Sequence, residues 1–237
     1  MLKKLSVLML AVVLSACDSA TLQQLGSAVG AGALTEADMA AGLKEALNIG
    51  IGKGADQLSA VDGYFKSPYK ILLPPEARKI TDRLQGIPGF SDVEAEILQR
   101  INRGAEDAAK KAKPIFVNAI KQMTFADVTN ILMGADDAAT QYLNRTTRNA
   151  LYQEFSPVII ESLDKFQARK YWSDAVTAYN RIPLVERANP NLDDYVTNQA
   201  LDGLFGMVAK EELNIRKNVS ARTSDLLRRV FARQDNK

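Results

Sequence analysis

Apolar residues return at helical spacing from one end of this chain to the other, and no run shows the sustained two-residue alternation of a half-buried strand. Val93, Ile97, Ile101, Ala105 and Ala108 form the clearest such stripe, on a helix that Ser91 and Glu94 open as a capping box. Alanine and leucine dominate over valine and isoleucine, and such side chains lose little rotamer freedom in a helix. Cys17 is the only cysteine, so no internal disulfide exists and stability must come from packing. The fold expected is all-α: a multi-helix, bundle-like single domain, with no fixed-period repeat.

Start and stop signals divide that domain. Thr35, with Asp38 three residues on, opens a helix running to about Ala60, which Gly50, Gly52 and Gly54 interrupt. The three glycines do not make a dinucleotide fingerprint, because no strand precedes them and the spacing differs; close helix packing explains them. Asp62 to Pro75 reads as a turn and extended connection, and Pro75 suits the first turn of a helix to Gln85. Pro114 should kink or restart the helix after Ser91, and Thr124 with Asp127 opens another that Gly134 closes. Further helices are predicted at about 136–144, 147–155, 156–167 and 170–179. A long one starts near Asp193, and one from Ser220 or Ala221 to Arg233 ends the chain.

The N-terminus constrains location instead of fold. Lys3 and Lys4 precede a short apolar stretch from Leu5 to Leu14, and Leu14-Ser15-Ala16-Cys17 closes it like a lipobox. The run is about half the roughly 20 apolar residues a membrane span needs, so cleavage before Cys17 and lipidation of its thiol are expected. Residues 1–16 then form a lipoprotein signal peptide. Residues 17–34, rich in glycine, serine and alanine, form the lipidated N-terminus and a flexible spacer, and 35–237 the helical domain. Two or three acyl chains hold a protein on a bilayer without help from the fold. Asp18 matches the residue that retains lipoproteins of enteric bacteria in the inner membrane, and so favours that membrane over the outer one.

Lys3 and Lys4 are two of 30 basic residues; without them the basic count equals the 28 acidic ones. A neutral mature chain excludes the basic excess of a nucleic-acid binder. No histidine occurs anywhere, which removes imidazole-based triads and most zinc sites. No metal or cofactor is expected. The pairs Asp136-Asp137 and Asp193-Asp194 suit helix N-termini, and Glu211-Glu212 reads as a solvated face with Glu212 paired to Arg216. Asp202-Gly203 sits inside the long final helix, where an arginine from another helix would complete a buried ion pair. Glu161-Ser162 followed by Ala178-Tyr179-Asn180 is a poor match to lytic transglycosylases, since the element expected between the two pieces is missing. From Asn214 onward seven residues are basic and two acidic. Arg216, Arg222, Arg228, Arg229 and Arg233 therefore make a candidate basic surface for anionic headgroups, against an ordinary solvated face.

Thr124-Phe125-Ala126-Asp127, Ile131-Leu132-Met133-Gly134, Ala138-Ala139-Thr140, Phe155-Ser156-Pro157, Tyr195-Val196-Thr197, Ala200-Leu201-Asp202-Gly203-Leu204-Phe205, Glu211-Glu212 and Ile215-Arg216 carry a resemblance. Together they resemble an uncharacterised family of bacterial helical lipoproteins, domain of unknown function 4197, over nearly all of the mature chain. The resemblance implies a helical fold and an envelope location, and supplies no catalytic residues. The function expected is a membrane-anchored envelope lipoprotein with a non-enzymatic binding or structural module facing the periplasm. The alternatives are a carrier of lipid or another apolar ligand, and a carboxylate-dependent enzyme.

Overall fold

The computed structural model describes residues 34–73, 75–84, 86, 91–188, 191–232 and 235. Cys17, Asp18 and the signal and spacer segments through residue 33 lie outside the described residues, as does Arg233. The chain divides after Leu34, and the unit Thr35–Lys237 is all-α among the described residues. Its helices are α1 (Glu36–Ser59), α2 (Pro75–Leu84), α3 (Val93–Ala109), α4 (Ala112–Lys121), α5 (Phe125–Met133), α6 (Ala138–Lys165), α7 (Ala168–Asn180), α8 (Asp193–Lys217) and α9 (Asp225–Phe231), with a 3-10 turn at Val219–Ala221.

Two threonine caps form as the spacing requires. The Thr35 hydroxyl accepts the Asp38 N–H at 3.1 Å while Asp38 accepts the Thr35 N–H at 3.0 Å. Thr124 and Asp127 repeat the exchange at 3.2 and 2.9 Å. The Thr35 backbone N–H, then its hydroxyl, holds Asp38 below the usual carboxylate range; for Asp127 the Thr124 hydroxyl is the leading cause. Both carboxylates titrate lower folded than unfolded. The stability they contribute is therefore complete above the ordinary carboxylate value and is lost as pH falls from there through the lowered folded value. Thr35→Ala and Thr124→Ala should each cost ~1 kcal/mol at neutral pH. They should also flatten the loss of helical circular dichroism on acidification from about pH 5 to pH 2.

Elsewhere tertiary packing overrides the local signals. The glycines of α1 do not interrupt it; a Cβ on Gly42 would stand 2.6 Å from Val230 on α9, and one on Gly54 2.8 Å from Met207 on α8. Ser91 and Glu94 form no capping box, because α3 starts at Val93 and Glu94 accepts from the Thr81 hydroxyl of α2 instead. The chain breaks at Lys110–Lys111, and Pro114 falls in the first turn of α4, where its missing N–H has no helical acceptor to satisfy.

The three helices expected between residues 136 and 167 are one, α6. Leu143, Thr147, Leu151, Phe155, Ile159 and Leu163 make a single buried stripe along it. Thr147 is no cap, since its hydroxyl donates 2.6 Å back to the Leu143 carbonyl. Pro157 removes one bond from the ladder on the exposed side, where Gln153 also faces water. The last helix begins at Asp225, later than expected, because Ser224 caps it through the Leu227 N–H at 3.2 Å.

α8 packs against α6, α1 and α3, and α7 covers α3 and α2. Between α1 and α2, residues 60–73 cross α8 as a strap. Tyr64 donates to the Ala200 carbonyl at 2.7 Å and Tyr69 to that of Gly206 at 3.1 Å. A Cβ on Gly203 or Gly206 would meet these two rings at 2.8 Å, so the glycines admit the strap. Burial pushes the Tyr64 phenol far above its ordinary value, leaving it a hydrogen-bond donor at any working pH. Asn102 on α3 then pins the strap's end, accepting the Ile71 N–H at 2.8 Å and donating to its carbonyl at 2.9 Å.

Candidate functional site

The strap leads into α2, and α2 forms one wall of a cleft of about 350 Å³. Ala77, Lys79 and Ile80 line it from α2, Trp172 and Tyr179 from α7, Tyr195 from the first turn of α8, and Glu186 to Ala188 with Asn191 and Leu192 from the preceding loop. Trp172 and Tyr179 are seven residues apart and share a helix face. Asn180 fixes the loop by accepting the Ala188 N–H at 3.0 Å and donating to its carbonyl at 3.2 Å. Tyr195 ties α8 to the strap through the Leu72 carbonyl at 2.8 Å. Arg169 Nε stands 3.1 Å from Asp193 Oδ1, joining the N-terminal turns of α7 and α8.

The volume is that of a small-molecule site. Trp172 is 3% exposed, and its indole N–H is buried without a hydrogen-bond partner. Lys79, Glu186 and Arg187 line the cleft without a charged partner among the described residues. The hollow continues past Lys79, Tyr179 and Glu186 to Asp82, Arg83 and Leu184. Leu184 is fully exposed with φ 65°, a conformation unusual for a leucine. By contrast, the cavity inside the bundle between α1, α8 and α9 measures about 20 Å³, room for one water.

The basic residues singled out near the C-terminus do not share a surface. Arg216 and Arg222 are 3% and 1% exposed. Arg222 donates to the Ile215 and Arg216 carbonyls at 3.0 and 2.9 Å and grips Asp235 with two bonds of 2.9 and 2.6 Å. Arg228 and Arg229 are exposed, and Arg228 pairs with Asp225 at 2.7 Å.

Glu212 does pair with Arg216, at 2.7 Å, but on a buried face instead of a solvated one. Its carboxylate also accepts the N–H groups of Ala139 and Thr140 at 2.9 and 2.8 Å and the Thr140 hydroxyl at 2.8 Å. It thus caps α6 from α8, where Asp137 makes no capping bond. Glu211 meets Lys53 of α1 at 2.9 Å. Asp202 has the expected interhelix partner, Arg148 of α6 at 2.7 Å, yet its side chain is 53% exposed. Asp136 pairs with Lys217 at 3.0 Å.

Glu161 lies exposed on α6. Among the described residues no cluster of three or more potential metal ligands occurs, and no helix is long and apolar enough to cross a membrane. Sequence reasoning missed Trp172, Lys79 and Arg187. The isolated signal for them was the chain's one tryptophan.

No curated protein and no solved structure matches the chain. A family model described as a protein of unknown function, DUF4197, matches residues 33–232, so it takes in every helix and both sides of the cleft. The chain therefore belongs to the DUF4197 family.

Proposed function

We propose that this protein is a bacterial envelope lipoprotein whose helical unit is a non-enzymatic binding module, held at the periplasmic face of a membrane by lipid on Cys17. The observation that carries the reading is Leu14-Ser15-Ala16-Cys17 at the end of a charged-then-apolar leader. The fold is consistent with a tether, since the compact unit begins at Thr35 and leaves a stretch of small residues between it and the cysteine. A surface cleft of about 350 Å³ favours binding over a purely structural role. An interior cavity of about 20 Å³ argues against an acyl chain carried inside the bundle.

Intact-mass spectrometry of the protein from its native membrane tests the anchor. The expected product starts at Cys17 and carries diacylglycerol with or without a third acyl chain. Cys17→Ala should retain residues 1–16 and incorporate no labelled palmitate. A wild-type chain that keeps Met1, or one with an unmodified thiol, would overturn the proposal. Asp18 directs the lipoprotein to the inner membrane in this reading, and Asp18→Ser should move it to the outer-membrane fraction of a density gradient.

A further inference from the structure

We infer that the cleft between α2, α7 and the start of α8 binds a small oxyanion, a carboxylate or phosphate monoester, carried on an aromatic or short apolar body. Three observations converge. The Trp172 indole N–H is buried with no acceptor, and an orphaned buried donor is rare enough in native proteins to call for a partner. Lys79 and Arg187 line the same cleft with one carboxylate, Glu186, and none of the three has a charged partner among the described residues, so the cleft offers donors and net positive charge. Arg83 and Asp82, in the adjoining hollow, leave that balance unchanged. Finally, Trp172, Tyr179, Tyr195, Ile80 and Leu192 provide apolar walls that a bare inorganic ion would not use.

A ligand oxygen on the indole N–H satisfies the orphan, and the planar Arg187 fork matches a carboxylate or phosphate in two-point contact. The indole nitrogen is shielded from bulk water, so a ligand reaches it as cleft side chains give way; Lys79 and Arg187 are long and exposed and have that freedom. Glu186 sets the sign of the selectivity. A ligand with a second anionic group elsewhere on its apolar body meets repulsion there, which favours a single carboxylate or phosphate head.

Trp172 is the only tryptophan, so emission excited beyond the tyrosine absorption band reports on this cleft alone. The experiment uses the full-length chain in phosphatidylcholine nanodiscs or, should it carry no lipid, free in buffer; its outcome is thus independent of the anchor. Phenyl phosphate and phenylacetate should each change the emission saturably. Benzyl alcohol and benzylamine, which lose the charge-assisted contact, and inorganic phosphate, which lacks the apolar body, should each bind at least about tenfold more weakly.

By calorimetry, Arg187→Gln and Lys79→Gln should each weaken phenyl phosphate binding about three- to tenfold, and Trp172→Phe by a similar factor through loss of the N–H. Arg145→Gln, an exposed arginine on α6, should leave it unchanged. An anionic lipid headgroup presents the same oxyanion. Replacing phosphatidylcholine by phosphatidylglycerol identifies that source if emission changes without added ligand and phenyl phosphate no longer competes. Equal binding of the neutral and anionic probes would overturn the inference. So would no saturable response up to about 10 mM, a concentration at which even a contact of a few kcal/mol registers, or binding indifferent to Arg187→Gln.

Discussion

Glu212→Ala is expected to lower the unfolding free energy by about 3–5 kcal/mol, the cost of stripping one partner from a buried ion pair. In a chain of this size that corresponds to a fall in melting temperature of roughly 6–20 °C. The carboxylate accepts from Arg216 Nε at 3.0 Å and from its terminal nitrogen at 2.7 Å, and from the Ala139 N–H, the Thr140 N–H and the Thr140 hydroxyl. Every group around it donates. Glutamine turns one oxygen into an NH₂ that faces those donors, so Glu212→Gln should cost nearly as much as alanine despite its matching shape.

Arg216 also donates to the Ile131 carbonyl at 2.9 Å, so the pair links the end of α5 to the start of α6. Replacing both residues with methionine removes the stranded charge and should recover part of the loss. Denaturant titration of the four proteins checks this. A glutamine variant within about 1 kcal/mol of wild type would show that the network is not worth what its geometry implies.

The helices legible in the sequence are those whose ends are made locally. Thr35 with Asp38, and Thr124 with Asp127, hold both partners of the cap within one turn, and both form. The boundaries that failed depend on residues far away. Thr147 and Ser156-Pro157 look like helix starts, but the stripe from Leu143 to Leu163 is buried against other helices, and that burial outweighs a missing N–H. The start of α6 is capped by Glu212, more than 70 residues along the chain. No local pattern announces such a cap.

The same distinction governs the candidate site. Pairing of Glu212 with Arg216 was legible because four residues on a helix fix the neighbours. Whether that face meets water or another helix was not, and a charge-rich face defaults to solvent unless the packing is known. Asp202 drew attention beside Gly203 as a buried charge; in fact the glycine is there for Tyr64, and Asp202 looks outward to Arg148. The cleft was invisible because its walls come from α2, α7, α8 and a loop. Lys79 and Arg187 are more than 100 positions apart, so only the tertiary fold brings them together.

Glu106→Ala should cost about 3 kcal/mol and should loosen the strap before the rest of the fold. One oxygen of Glu106 accepts the N–H groups of Tyr64 and Phe65, each at 3.2 Å, and the other accepts from Arg103 at 2.6 Å. Arg103 continues to Asp62 at 2.6 Å, and together with Lys66 it holds the Asp62 carboxyl below the usual range. Asp62 itself has φ 68°, an unfavourable conformation for a residue with a Cβ that the surrounding bonds maintain. Alanine at 106 leaves two amide groups of the strap without an acceptor, one of them on fully buried Tyr64. Hydrogen exchange at Tyr64 and Phe65 should therefore accelerate by more than the change in global stability accounts for, while amides in the middle of α6 follow the global change. Because the strap enters α2 and holds Tyr195 through the Leu72 carbonyl, Trp172 emission should shift in the folded variant as well. Uniform acceleration across all helices, with unchanged native emission, would mean that Glu106 stabilises the whole bundle and that the cleft is held in place by α7 and α3 alone.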